Sequence, residues 1–150
     1  MPTANEIQKE RTRQLEEQAT ELLAKCGVVT LASVNEKGYP RICTMRKCTA
    51  EDFHDIYFVS SKRSKLNGKV THFENNEKAS VCYSLGGDSV TLIGRVEFIT
   101  DRELQSKIWD DCDRGFFPKG IDDPKFRLIK FHTLEATFWI GGKFRTCTYK

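Results

Sequence analysis

The chain contains no C-x-x-C pair, and its three histidines (His54, His72, His132) stand far from any Cys or His at zinc-ligand spacing, so the pattern calls for no metal. No window approaches the ~18 consecutive apolar residues of a membrane span. The N-terminus, MPTANEIQKERTRQLEEQATELL, is charged where a signal peptide is apolar. A membrane partner and export are therefore not expected, and the expected compartment is cytoplasmic. Internal repeats and low-complexity tracts are also missing. So is a strong excess of one charge: 24 Lys and Arg against 21 Asp and Glu leave +3, too slight and too dispersed to argue for nucleic acid.

What remains is the composition of a soluble globular protein, 39% hydrophobic and 30% charged over 150 residues, long enough for one domain (1–150) to bury a core without staples. The six cysteines (Cys26, Cys43, Cys48, Cys82, Cys112, Cys147) read as reduced packing residues. Cys43 and Cys48, separated by an odd number of positions, face opposite sides of one expected strand and cannot pair.

In chain order, Ile7, Leu15, Ala19, Leu22 and Leu23 share one side of a helical period from about Asn5 to Lys25, an amphipathic helix packed on the domain. Gly27 ends it. VVTLASV (Val28 to Val34) and YPRICTMRKC (Tyr39 to Cys48) form a hairpin around Asn35-Glu36-Lys37-Gly38. ASVCYSL (Ala79 to Leu85) and SVTLIGRVEFI (Ser89 to Ile99) form a second hairpin, with Gly94 marking a bulge or a close backbone approach. Thr100-Asp101-Arg102-Glu103 reads as a capping box opening a helix from Asp101 to about Cys112. The loop DRGFFPKGIDDPKF is too apolar to be only a linker and should cover something. FRLIKFHTLEATFWIG (Phe126 to Gly141) is strand again, and KFRTCTYK is a last short strand. The sum is about six strands and three helices. Antiparallel hairpins with inserted helices predict a mainly β (α+β) fold, a six-stranded antiparallel split β-barrel with appended helices, residues 1–25 being the N-terminal one.

The stretch that carries chemistry is DIYFVSSKRSKLNGKVTH (Asp55 to His72). Four strand-favouring residues, Ile56 to Val59, give way to Ser60, Ser61 and Ser64 and to Lys62, Arg63, Lys65 and Lys69, with a helix expected from Ser64 or Leu66 to about Asn75. Hydroxyls, cations and a helix start can hold a phosphate; taken alone, a capped and solvated helix start is the plainer reading.

In the order GYPRICTM, IYFVSS, NNEKASVCY, SVTLIGRVEFITD, WDDCDRGFFPKGIDDPKF and ATFWIGG, the chain resembles the pyridoxamine 5′-phosphate oxidase-like FMN-binding split β-barrel superfamily, in particular its general stress protein subgroup. The resemblance implies a homodimer with FMN at the subunit interface. It places Arg41, Ile42, Cys43, Thr44 and Met45 along the flavin ring, and Ser60, Ser61, Ser64 and Lys65 or Lys69 at the phosphate. Trp109 is then either a lid residue, with Phe116 and Phe117, or plain helix packing. Trp139 is either barrel core or a wall beside the flavin. Lys143 and Arg145 either reach the phosphate across the interface or are exposed strand-end charges. No general acid or base stands out, so no catalytic residue is assigned. The expected function is an FMN-dependent oxidoreductase acting on a small molecule, the alternative a non-catalytic flavin-binding stress-related sensor or carrier. A related barrel using deazaflavin or haem would differ at the site and not in the fold. The chain ends at Lys150 without the C-terminal extension that helps true pyridoxamine-phosphate oxidases hold their substrate, so vitamin B6 oxidation is not expected.

Overall fold

The computed structural model describes residues 1–62, 68–110 and 114–150. Its first helix, α1 (Ala4–Lys25), starts where the Thr3 hydroxyl accepts from the Glu6 N–H and the Glu6 carboxylate accepts from the Thr3 N–H, both at 3.2 Å. The buried stripe begins later than the sequence pattern implies. Leu15, Ala19, Leu22 and Leu23 are buried, whereas Ile7, in the first half of the helix, is exposed. Each buried leucine contributes roughly 1.5–3 kcal/mol to holding the helix on the sheet. The Tyr83 hydroxyl fixes its height by donating to the Ala19 carbonyl at 2.9 Å.

Seven strands follow, one more than expected: β1 (Val28–Val34), β2 (Pro40–Arg46), β3 (Asp55–Ser61), β4 (Lys78–Leu85), β5 (Asp88–Ile99), β6 (Phe126–Ile140) and β7 (Lys143–Thr148). All pairings are antiparallel, in the order β2-β1-β4-β5-β6-β3, with β7 also on β6. The sheet is not a closed six-stranded barrel. Its ends meet only at a single bridge, where the Tyr57 N–H donates to Thr49 O (3.0 Å) and the Cys48 N–H to Tyr57 O (2.9 Å). β2 therefore stops at Arg46, and Cys48 belongs to this bridge and not to the strand. Among the described residues no helix is long and apolar enough to cross a membrane.

Two short helices complete the fold. α3 (Arg102–Ile108) is capped one residue later than the expected box: the Asp101 carboxylate accepts from the N–H groups of Glu103 (2.9 Å) and Leu104 (3.3 Å). It ends at Ile108, because Trp109 turns to extended backbone and puts its ring on Phe117 and Phe126. Those three rings, with Leu128, Ile99 and Ile121, form a second apolar cluster apart from the main core. The apolar loop thus covers one face of β3 and β6, held there by Arg102, which bonds the Ile121 carbonyl (2.8 Å) and pairs with Asp122. α2 (Lys69–Asn75) begins after Gly68 with no side-chain cap, and the expected start at Ser64 or Leu66 lies outside the described residues.

β6 changes face part-way along. Ile129, Phe131 and Thr133 point into the core, and so do Ala136, Phe138 and Ile140, although the two sets differ in parity. Leu134 is the extra residue: Gly94 pairs with Thr133 while Ile93 pairs with Glu135. At that point the backbones crowd together. A Cβ on Gly94 would lie 2.0 Å from the His132 carbonyl oxygen, so the position admits only glycine. Trp139, on the opposite parity from Phe138, is 46% exposed on the outer surface and is not barrel core.

α2 docks on β1 through a buried polar contact, His72 Nδ1 to the Ser33 hydroxyl at 2.9 Å. Burial lowers the His72 pKa, the Arg41 charge lowers it further, and Glu36 opposes both. A histidine lowered in the folded state contributes stability that is complete above its unfolded value, about 6.5. That stability is lost as the pH falls below this value, because the unfolded chain takes up a proton that the folded one resists.

Gly94→Ala should therefore cost at least about 2 kcal/mol in denaturant unfolding. Gly27→Ala, where a Cβ meets nothing within 4 Å, should stay near zero. In thermal melts between about pH 7 and pH 5 the wild type should lose more stability than His72→Gln relative to each protein's neutral value; equal slopes would remove His72 from the acid response.

Candidate functional site

The geometry of the β1–β2 hairpin settles which backbone groups are available. The Asn35 N–H donates to Tyr39 O (2.8 Å) at one end, and the Lys47 N–H donates to Gly27 O (3.2 Å) at the other. Odd-numbered residues of β2 thus turn their N–H and C=O groups towards β1. Ile42 and Thr44 turn theirs to the outer edge of the sheet, which carries no further strand among the described residues. Side chains alternate differently. Cys43 and Met45 pack against the core, while Ile42 is 68% exposed and Thr44 is also exposed on the outer face.

At the inner side of that edge, two cations converge. Burial raises the pKa of the Cys43 thiol, whose Sγ donates to Leu31 O at 3.5 Å, while the charges of Lys69 and Arg41 both pull it down. Lys69, at the head of α2, and Arg41, on β2, are 28 positions apart in sequence, yet the charges of both act on the same thiol. Among the described residues neither salt bridge nor side-chain hydrogen bond involves Lys69. Paired cations beside a strand edge rich in backbone donors and acceptors form a donor set suited to a phosphate-bearing, planar heterocycle.

The other expected residues divide. Ser60 and Ser61 are the last residues of β3, not part of the turn, and alternate in direction: Ser60 is buried opposite Arg127, and Ser61 lies opposite Phe126 on the second cluster's side. Ser64 and Lys65 lie outside the described residues. Lys62 is engaged with Glu74. Trp109 packs with the second cluster, and the next residue, Asp110, places Oδ2 3.9 Å from Arg46 Nη2 at the end of β2. Arg145 points at α1, donating to the Gln8 side chain at 2.7 Å, with its Nε buried and without a partner. It faces away from Trp139.

One feature of the site escapes single-strand reading. Register across six strands aligns Thr44, Thr30, Cys82, Thr91, Thr137 and Thr146 in one row on the outer face. The Thr137 and Thr146 hydroxyls bond each other at 3.0 Å. A neighbouring row runs Ile42, Ala32, Ser80, Ile93, and Trp139 meets Phe144 at 6.1 Å towards the β6–β7 turn. This face spans six strands and is free of charge along its central row, with Glu135 and Arg46 on the rows to either side. In sequence its only mark is threonine recurring at alternate strand positions.

Comparison with known proteins agrees with this architecture. Comparison with curated protein sequences finds no match. Among solved structures, a protein related to general stress protein 26, of the pyridoxinephosphate oxidase family, from Clostridium acetobutylicum superposes with a TM-score of 0.75 at 22% identity, covering 91% of this chain and 94% of that one. General stress protein 26 from Bacillus anthracis gives 0.71 at 24% identity, with 89% and 99% covered. A heme binding protein from Mycobacterium smegmatis gives 0.68 at 17% identity, with 89% and 57% covered. At these identities the likeness is one of fold. Residues 15–140, which span every element from the buried half of α1 to the end of β6, match the pyridoxamine 5′-phosphate oxidase family, and the chain belongs to that family.

Proposed function

We propose that this protein is an FMN-binding oxidoreductase, a homodimer that holds its flavin along the outer edge of β2 and acts on a small molecule. The observation that carries the reading is the open β2 edge where Ile42 and Thr44 present backbone groups, beside a Cys43 thiol on which the charges of Arg41 and Lys69 both act. The cations suit the phosphate, and the edge suits the alternating donors and acceptors of the pyrimidine ring. Of the two lysines the sequence leaves open, Lys69 acts on this point, while Lys65 lies outside the described residues. The flavin, when bound, supplies one- or two-electron transfer; the chain's own residues bind, orient and shield it. Shielding comes from a second copy. The threonine face borders the β2 edge, since Ile42 and Thr44 belong to both, and an outer face with an uncharged central row suits a self-complementary two-fold contact.

Reconstituted with excess FMN and desalted, the protein should retain the flavin absorbance band; a colourless protein would end the reading. Arg41→Met and Lys69→Met should each weaken FMN binding by about 1.5–3 kcal/mol, as expected for charge-assisted contacts, and leave riboflavin, which has no phosphate, nearly unaffected. Rapid reoxidation after reduction by NAD(P)H separates an enzyme from an inert flavin carrier.

Thr91→Lys, at the centre of the outer face, should convert a dimer to a monomer in light scattering and weaken FMN retention with it. A wild-type monomer that binds FMN tightly would overturn the shared-interface arrangement.

A further inference from the structure

A cleft of 390 Å³ lies between α2, the end of β5, α3 and the start of β6. None of its lining residues belongs to the flavin site described above. Its apolar wall is Phe98, Ile99, Ile121, Phe126 and Leu128, and four charged side chains, Glu74, Arg102, Asp123 and Arg127, stand around it.

Two of those charges are answered within the fold. Glu74 pairs with Lys62, and Arg102 pairs with Asp122 while bonding Gln105 Oε1 (3.2 Å) and Ile121 O (2.8 Å). The other two are not. Arg127 donates twice from Nη1, to the carbonyls of Pro124 (2.9 Å) and Phe126 (2.8 Å), and meets no carboxylate among the described residues. The Asp123 carboxylate accepts only the Lys125 N–H, at 3.0 Å, and meets no cation among the described residues. Both residues are half-buried.

The state of Arg127 is specific. A guanidinium has five N–H donors in a rigid fork; with both protons of Nη1 spent on carbonyls, Nε and Nη2 remain, and that pair forms the side which grips a carboxylate with two parallel bonds. The two carbonyls also fix the plane of the group, so little rotamer freedom is left to lose on binding. A cleft that leaves one cation and one anion unanswered beside an apolar wall is complementary to a ligand with one group of each sign and an apolar body. Its volume is within the usual range for small-molecule sites, roughly 300–1,000 Å³.

We propose that this cleft binds a free amino acid with an apolar side chain, its carboxylate on the Nε and Nη2 side of Arg127, its ammonium on Asp123 and its side chain against Phe98, Phe126 and Leu128. The site does not depend on the flavin reading, and it is chemically distinct from a phosphate grip.

The test is calorimetric titration of the full chain with L-leucine, L-methionine and L-phenylalanine, beside 3-phenylpropionate and phenethylamine, which each keep one charge of phenylalanine. At least one amino acid should bind saturably at one per chain, and phenylalanine should bind at least about tenfold more tightly than either one-charge analogue, a difference of ~1.4 kcal/mol. Asp123→Asn should abolish the advantage of phenylalanine over 3-phenylpropionate, and Arg127→Gln its advantage over phenethylamine. Absence of binding by all three amino acids at millimolar concentration overturns the proposal, as does equal binding of phenylalanine and 3-phenylpropionate. Should a variant fail to fold, the ligand series on the wild type decides. Unchanged FMN retention in Asp123→Asn would show that the flavin site is separate, whatever the outcome for the cleft.

Discussion

The close approach of Gly94 to the backbone at His132 is the constraint on which the rest of this structure rests. It permits β6 to carry one extra residue, Leu134, without leaving the sheet, and the strand therefore presents opposite parities to the core on either side of that point. Below the bulge β6 pairs with β3, and its outward side chains, Phe126 and Leu128, build the second cluster under Trp109 and Phe117. Above it the strand pairs with β7, and its outward residues, Thr137 and Trp139, complete the outer face. A straight strand would present a single parity to the core along its whole length. Phe131 and Phe138, both fully buried, could not then share one core.

From that division follows the position of the site. The hydrophobic core is closed on one side by α1 and at one end by α2, whose His72–Ser33 contact brings Lys69 to the inner side of β2. β2 is the strand with an open edge, an outward side-chain row continuous with the threonine face, and an inward row ending at two cations. No other strand combines the three. The second cluster has its own consequence: by anchoring the loop over β3 and β6 it leaves the cleft beside Arg127 with an apolar wall and charges that the loop itself does not neutralise.

Much of this was legible in the sequence because local chemistry decides it. The Asn35–Gly38 turn, with the Asn35 side chain accepting from Lys37 and Tyr39 N–H groups, and the glycine at position 94 are signals of a few residues, and the antiparallel hairpins follow from them. Three things were not legible. The outward turn of Trp139 depends on a bulge in β6 whose sequence cause, Gly94, lies on the neighbouring strand. The capping position of α3 depends on which of two adjacent residues, Thr100 or Asp101, the chain aims at the helix, and both are competent. The cationic pair and the threonine row join residues far apart in sequence, and they exist only once strand register is fixed. Lone periodicity cannot reveal them. Conversely, the serine-rich turn drew attention in the sequence because hydroxyls clustered there, yet a strand that runs through Ser60 and Ser61 sends adjacent hydroxyls to opposite faces.

On the proposed reading, cofactor binding and association are one equilibrium. Ile42 and Thr44 contribute backbone to the edge and side chains to the outer face, so a group seated along the edge touches whatever covers that face. Any ligand that binds only the associated form stabilises it by mass action, in proportion to the logarithm of its concentration over its dissociation constant. The reverse holds with equal strength, because the coupling is reciprocal. Flavin affinity measured at low protein concentration should then weaken as the dimer dissociates, although no residue in contact with the flavin has changed. The two cations alone do not have this property. On that reading they act from within one chain, on β2 and α2, so the phosphate contact would belong to the monomer, whereas cover of the ring would need the pair.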